Sequence, residues 1–125
     1  MLRLKTISLL GHRSELDALP EGKVLINTIN AHSYNTARKD AAFAEALLKG
    51  DALIPDGASI VLAFKFLRHK NIERIAGWDL FLHEMDKLNR KGGVCFFLGS
   101  SEETLRKIKA KAAGVYPDIR IETYS

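Results

Sequence analysis

Residues 93–114 read "GVCFFLGSSEETLRKIKAKAAG". Val94–Leu98 is a continuous apolar run without polar alternation, the pattern of a strand covered on both faces, as strands of parallel sheets are. Ser100 and Glu103 follow at capping-box spacing, Leu105, Ile108 and Ala112 fall on one helical face, and Gly114 supplies the stop. A buried strand that turns at a glycine into an amphipathic helix is half of a parallel α/β repeat.

The same alternation extends outward in both directions. Downstream, "DIRIETY" (118–124) alternates like one more strand. Upstream, "GWDLFLHEMDKLNRKGG" (77–93) places Trp78, Phe81, Leu82, Met85 and Leu88 on one helical face, a pattern of core rather than of a sugar platform. "ALIP" (52–55) is a very short strand, followed by a helical stripe of Ile60, Val61, Phe64 and Leu67. "NTARKDAAFAEALLKGD" (35–51) predicts a helix with Phe43, Leu47 and Leu48 on one face and Gly50 as its stop. "KVLINTIN" (23–30), after the turn signal "PEGK", and "LRLKTISLL" (2–10) read as strands. The expected fold is α/β: an open, mostly parallel Rossmann-like sheet with helices on both faces, in a single domain over residues 1–125. Because the last strand signal has no helix after it, the sheet is expected to be incomplete at its C-terminal side, the chain to be the N-terminal part of a larger domain, and apolar surface near Ile119 and Ile121 to promote self-association.

Composition excludes several classes. Hydrophobic residues at 46% and charged residues at 27% belong to an ordinary folded domain, not to a disordered or fibrous chain. A net charge of +4 suits anionic ligands or an anionic surface, but the cations are spread without a block, so nucleic acid is not implied. One cysteine, Cys95, sits within the apolar run; it cannot form a disulfide within the chain, which fits a reducing cytoplasm. No apolar stretch reaches the roughly 18 to 20 residues of a membrane span. His12, His32, His69 and His83 lack metal-site spacing, and neither a GxxxxGK[ST] loop nor a GxGxxG turn occurs, so neither a metal nor a cofactor is expected.

What remains are polar residues where strands end: Thr28 and Asn30, Asp56, and the turn from Gly99 to Ser101. In open α/β sheets ligands bind outside the carboxyl ends of strands, so these groups are expected to converge on one crevice, with His32 and Tyr34 beside it by position. Asp56, between Pro55 and Gly57, either caps the following helix or does chemistry. Read without a ligand, Arg74 is a solvated or ion-paired side chain, Thr28 a β-former, Asn30 a turn residue and Ser100 a helix cap.

Four blocks in order, "INTINAHSYNTARKD", "LIPDGASIVLA", "ERIAGWDL" and "FFLGSSEETL" followed by "YPDIRIETYS", resemble the N-terminal half of the WecG/TagA/CpsF family over about residues 22–125. The resemblance implies an inverting glycosyltransferase, UDP-N-acetylmannosaminyltransferase-like, that moves a sugar from a UDP-sugar donor to a polyprenyl-diphosphate-linked acceptor in cell-envelope or surface-polysaccharide synthesis. It places Asp56 at the catalytic base and Thr28, Asn30, Arg74 and Gly99 at substrate contacts, and it implies a cytoplasmic protein with peripheral contact at the inner membrane face in its full-length form. The family's second half, which helps hold the nucleotide sugar, has no counterpart in these 125 residues. The alternative is therefore a catalytically incomplete module that binds substrate.

Overall fold

In the computed structural model, which describes residues 2–125, β1 (Ile26–Ile29) and β2 (Ala52–Pro55) pair in parallel, Ile26 opposite Ala52 and Ile29 opposite Pro55. Side chains alternate across a strand, so Ile29 and Leu53 serve one face and Ile26 and Ile54 the other. Both faces are covered. Ile29 and Leu53 are buried with Ala37, Leu47, Ile60 and Phe64 from α1 (Ala31–Lys39), α2 (Ala41–Leu48) and α3 (Ala58–Arg68). Ile54 is buried on the other side with Leu16 and Ile75. These elements form a compact unit that ends at Leu80.

The predicted first strand is absent. Residues 4–6 form a 3-10 turn, and the stretch reaches β2 through one bond, from the Leu10 N–H to the Leu53 carbonyl at 3.0 Å. The single helix expected over residues 35–51 starts earlier and is broken in two by Asp40. The Asp40 N–H ends α1 on the Thr36 carbonyl, and its carboxylate starts α2 by accepting from the Phe43 N–H at 3.0 Å. With that break only Leu47 of the predicted stripe is buried, while Phe43 and Leu48 are exposed.

Asn27 fixes β1 to the end of α2: its Nδ2 donates to the Ala46 and Leu47 carbonyls at 3.2 and 3.0 Å, which no longer have partners within the helix. Close by, a Cβ on Gly50 would lie 2.8 Å from that same Nδ2 and 3.1 Å from the Leu25 carbonyl oxygen, so the site requires glycine.

The second unit, Phe81–Ser125, repeats the plan with β3 (Val94–Leu98) and β4 (Arg120–Tyr124), again parallel, joined by α5 (Glu102–Val115). The final helix before them, α4 (Gly77–Lys91), contributes Phe81, Met85 and Leu88 to this core, where they pack with Cys95, Phe97, Ala112, Tyr116 and Ile121. The Phe81 and Phe97 rings are 6.1 Å apart and tilted by 53°. Parallel α/β architecture is thus as predicted, although each sheet has two strands.

Three expectations fail here. Ile119 and Ile121 are buried, not exposed, because they pack under α5. On the strands of this second sheet Val94, Phe96, Leu98 and Tyr124 are exposed, so β3 is covered on one face only. The helix cap is Ser101, whose Oγ accepts from the Thr104 N–H at 3.2 Å, while Ser100 sits at φ +74° in the turn.

Candidate active site

Asp56 stands where the first sheet ends, and its N–H donates to the Ile29 carbonyl at 2.8 Å, carrying the parallel pairing one residue past β2. Gly57 then turns the chain at φ +153°, a region open to glycine and avoided by other residues, and is itself the N-cap of α3 with no side chain to offer. Asp56 is therefore not the cap. Its carboxylate turns toward the segment before α4: Oδ1 lies 3.7 Å from Arg74 Nη2, and Oδ2 accepts from the Gly77 N–H at 3.5 Å. One third of the Asp56 side chain remains accessible.

The segment carrying Arg74 is clamped by its backbone. Ile75, fully buried, donates its N–H to the Pro55 carbonyl at 2.8 Å, and Glu73 donates its own to the Gly11 carbonyl at 2.7 Å. Arg13 adds a third tie, with Nη2 donating to the Arg74 carbonyl at 3.4 Å and lying 3.5 Å from Asp79 Oδ2. Asp79 Oδ2 also accepts from the Ala76 N–H at 2.8 Å, which holds the start of α4. Glu73 completes the cluster, 3.3 Å from His12 Nδ1. Exposed ion pairs of this kind contribute about 0–1 kcal/mol each, so their importance is in orientation. The backbone is fixed while the Arg74 side chain, 60% exposed, is held by one long contact.

Asn30 adjoins the same turn, since a Cβ on Gly57 would lie 3.6 Å from Asn30 Cβ. It is the N-cap of α1 in a reciprocal capping box: Oδ1 accepts from the Ser33 N–H, and Ser33 Oγ accepts from the Asn30 N–H, both at 2.8 Å. The cap uses the carbonyl end of the amide and leaves Nδ2 to donate. Thr28 is exposed on β1, opposite Ile54 in register, on the sheet face toward which the alternation also directs Asp56.

Gly99 belongs to the second unit, at φ +96°. Its N–H donates to the Tyr124 carbonyl at 2.8 Å.

Arg13 and Asp79 escaped the sequence reading. Asp79 had a visible signal, an acidic residue three positions after Ala76 at a helix start; Arg13 had none, being 61 residues from Arg74. A cavity of about 310 Å³ in the same unit, lined by Ile7, Leu9, His12, Phe64, Lys70 and Ile72 among others, includes none of Thr28, Asn30, Asp56 or Arg74. Among the described residues no three His, Cys, Asp or Glu are grouped to hold a metal ion, and no helix is long and apolar enough to cross a membrane.

Comparison with known proteins gives a family and curated relatives, two of them from Bacillus. The model of the glycosyl transferase WecG/TagA/CpsF family matches residues 5–125. The chain is 28% identical over 101 residues to the N-acetylglucosaminyldiphosphoundecaprenol N-acetyl-beta-D-mannosaminyltransferase of Bacillus subtilis, a match covering 81% of this chain and 40% of the relative. It is 29% identical over 100 residues to the enzyme of the same name from Bacillus spizizenii, covering 80% of this chain and 39% of that protein. The chain therefore spans about two-fifths of the length of the curated relatives it matches.

Proposed function

The chain belongs to the WecG/TagA/CpsF family of glycosyl transferases, and from that premise we propose that it holds the acceptor-activating part of an inverting sugar transfer from a UDP-sugar, N-acetylmannosamine-like, to a polyprenyl-diphosphate-linked saccharide. The observation that carries this reading is the carboxylate of Asp56. It stands at the carboxyl end of a parallel strand, is not used as a helix cap, and lies 3.7 Å from an exposed arginine.

In the transfer, the acceptor hydroxyl oxygen forms a bond to the anomeric carbon on the face opposite the UDP. Asp56 accepts the hydroxyl proton, and the bond to the leaving group breaks with its electron pair passing to the diphosphate. Arg74 is placed to turn from Asp56 toward that developing charge. Asn30 Nδ2 and the Thr28 hydroxyl supply neutral hydrogen bonds suited to sugar hydroxyls. Both curated relatives carry names that state an N-acetylmannosaminyl transfer onto an N-acetylglucosaminyl-diphosphoundecaprenol.

A second reading is a module that binds donor or acceptor without completing transfer. UDP release from UDP-N-acetylmannosamine with a polyprenyl-diphosphate-linked N-acetylglucosamine separates the two, measured on this chain and on an extended one. In whichever form is active, Asp56→Asn keeps the Gly77 N–H acceptor yet lowers transfer on the order of 100-fold or more. Undiminished turnover of that variant would remove the base assignment. Donor binding without release in every form would favour the module.

A further inference from the structure

The apolar stripe of α4 is not buried along its whole length. Phe81, Met85 and Leu88 pack into the second core, but the first member of the stripe, Trp78, is 65% exposed. This overturns the expectation that Trp78 is a core residue. Tryptophan is large and on average highly buried, so an indole left facing water calls for a reason.

Its place in the chain connects it to Asp56. Trp78 belongs to the same compact unit, which ends at Leu80. It follows Gly77, whose N–H donates to Asp56 Oδ2 at 3.5 Å. It precedes Asp79, whose Oδ2 accepts from the Ala76 N–H and lies 3.5 Å from Arg13 Nη2. The residues on either side of Trp78 are thus tied to the site, and the helix start that carries the indole is fixed there. Side chains of a helix lean toward its N-terminus. For the first turn of α4 that is the end at which the Asp56 carboxylate stands.

We propose that Trp78 is the platform on which the sugar ring of the acceptor packs. The inference rests on the transfer reading and deepens it by assigning the acceptor ring, an N-acetylhexosamine, a place. A gluco-configured pyranose holds its hydroxyls around the rim and its C–H bonds toward its faces. Such a ring can lie flat on an indole while its rim reaches hydrogen-bonding groups, and ligand sites combine aromatic walls with a few placed polar groups in this way. A base must lie within hydrogen-bond reach of the hydroxyl it deprotonates, so the ring bearing that hydroxyl lies beside Asp56. The uracil of the donor is separated from the reacting carbon by a ribose and a diphosphate, which sets it away from this carboxylate.

Trp78 is the one tryptophan of the chain, so its fluorescence reports on the site without any sugar transfer. The chain is titrated with an alkyl diphosphate bearing N-acetylglucosamine, with the same alkyl diphosphate lacking the sugar, and with UDP-N-acetylmannosamine. Only the first is expected to move the emission to shorter wavelength, saturably, as the ring displaces water from the indole. By calorimetric titration Trp78→Ala should bind the sugar-bearing compound about tenfold more weakly and Trp78→Tyr about threefold or less, with affinity for the UDP-sugar unchanged. The side chain is exposed, so circular dichroism should report an intact fold in both variants. A shift produced equally by the sugarless diphosphate, a shift produced by the UDP-sugar, no binding of the sugar-bearing compound, or undiminished binding by Trp78→Ala overturns the proposal. The transfer reading stands or falls separately, on Asp56→Asn. Loss of transfer in that variant beside an unmoved Trp78 emission would keep the base and remove the platform, and the opposite pair of results would keep the platform and remove the base.

Discussion

Arg74 and Asp56 meet at 3.7 Å without either being fixed by the other: the arginine carbonyl accepts from Arg13, its neighbours Ile75 and Glu73 are tied to Pro55 and Gly11, and the carboxylate also accepts from the Gly77 N–H. The pair is thus a contact between two independently placed groups, separable without collapse of the turn.

Removing the arginine should accordingly affect chemistry far more than stability. Arg74→Ala is expected to alter unfolding free energy by less than about 1 kcal/mol, as for other exposed pairs, and to reduce transfer about 100-fold if it stabilises the leaving diphosphate. Arg74→Lys should recover part of the loss. Urea denaturation beside UDP-release kinetics checks both halves, and equal effects of Arg74→Ala on stability and rate would make the residue structural.

Asn30 has a cap to make and a donor to spare, and two substitutions separate them. Asn30→Ala should cost about 1–2 kcal/mol through loss of the N-cap. Asn30→Asp preserves an acceptor for the Ser33 N–H and should leave stability within about 0.5 kcal/mol, while weakening binding of a UDP-sugar because Nδ2 is gone. Calorimetric titration with the donor distinguishes a sugar contact from a cap alone.

At the entrance to α5, neighbouring serines should respond oppositely. Ser101→Ala removes the cap and is expected to destabilise by about 1 kcal/mol. Ser100→Gly relieves a positive φ and should stabilise by about 0.5–1 kcal/mol. If the two reverse in thermal unfolding, the cap is at Ser100 after all.

Burial pushes the Cys95 thiol above its usual range, because the charged thiolate is poorly solvated against the apolar core of the second unit. The folded state therefore favours the neutral thiol. That contribution is complete below the ordinary thiol range and is lost as pH rises through the raised value. Alkylation near neutral pH should be slower than for an unfolded peptide thiol and accelerate only in alkali, and Cys95→Ala should flatten the alkaline fall in stability.

Much of this was legible in the sequence, and the failures have physical causes. β1, β2, β3, β4 and the helices between them announce themselves through apolar periodicity and glycine stops, and the strand ends so marked carry the polar residues Thr28, Asn30 and Asp56. "LRLKTISLL" has strand composition, but a strand exists only through the neighbour that pairs with it, and here a single bond to Leu53 is what forms. Asp40 was read through as part of a helix, although aspartate competes for backbone N–H groups and starts helices better than it continues them. Serines 100 and 101 both fit a cap; the choice depends on Gly99, which turns the chain so that the second one faces the helix. Arg13 lay beyond reach because its role arises only when residues far apart in the chain meet.

Asn27 and Gly50 are not independent letters of the sequence. The amide that ties β1 to the end of α2 occupies the space a side chain at position 50 would need, at 2.8 Å. The history of such a pair is therefore ordered: a larger residue at 50 becomes tolerable only where 27 has first become small and the Leu25 carbonyl, 3.1 Å away, has given way, and each intermediate must survive with the α2 carbonyls left to water. Two positions that share one vacancy constrain each other's mutational paths, and the order in which they change decides which descendants of this fold can be reached.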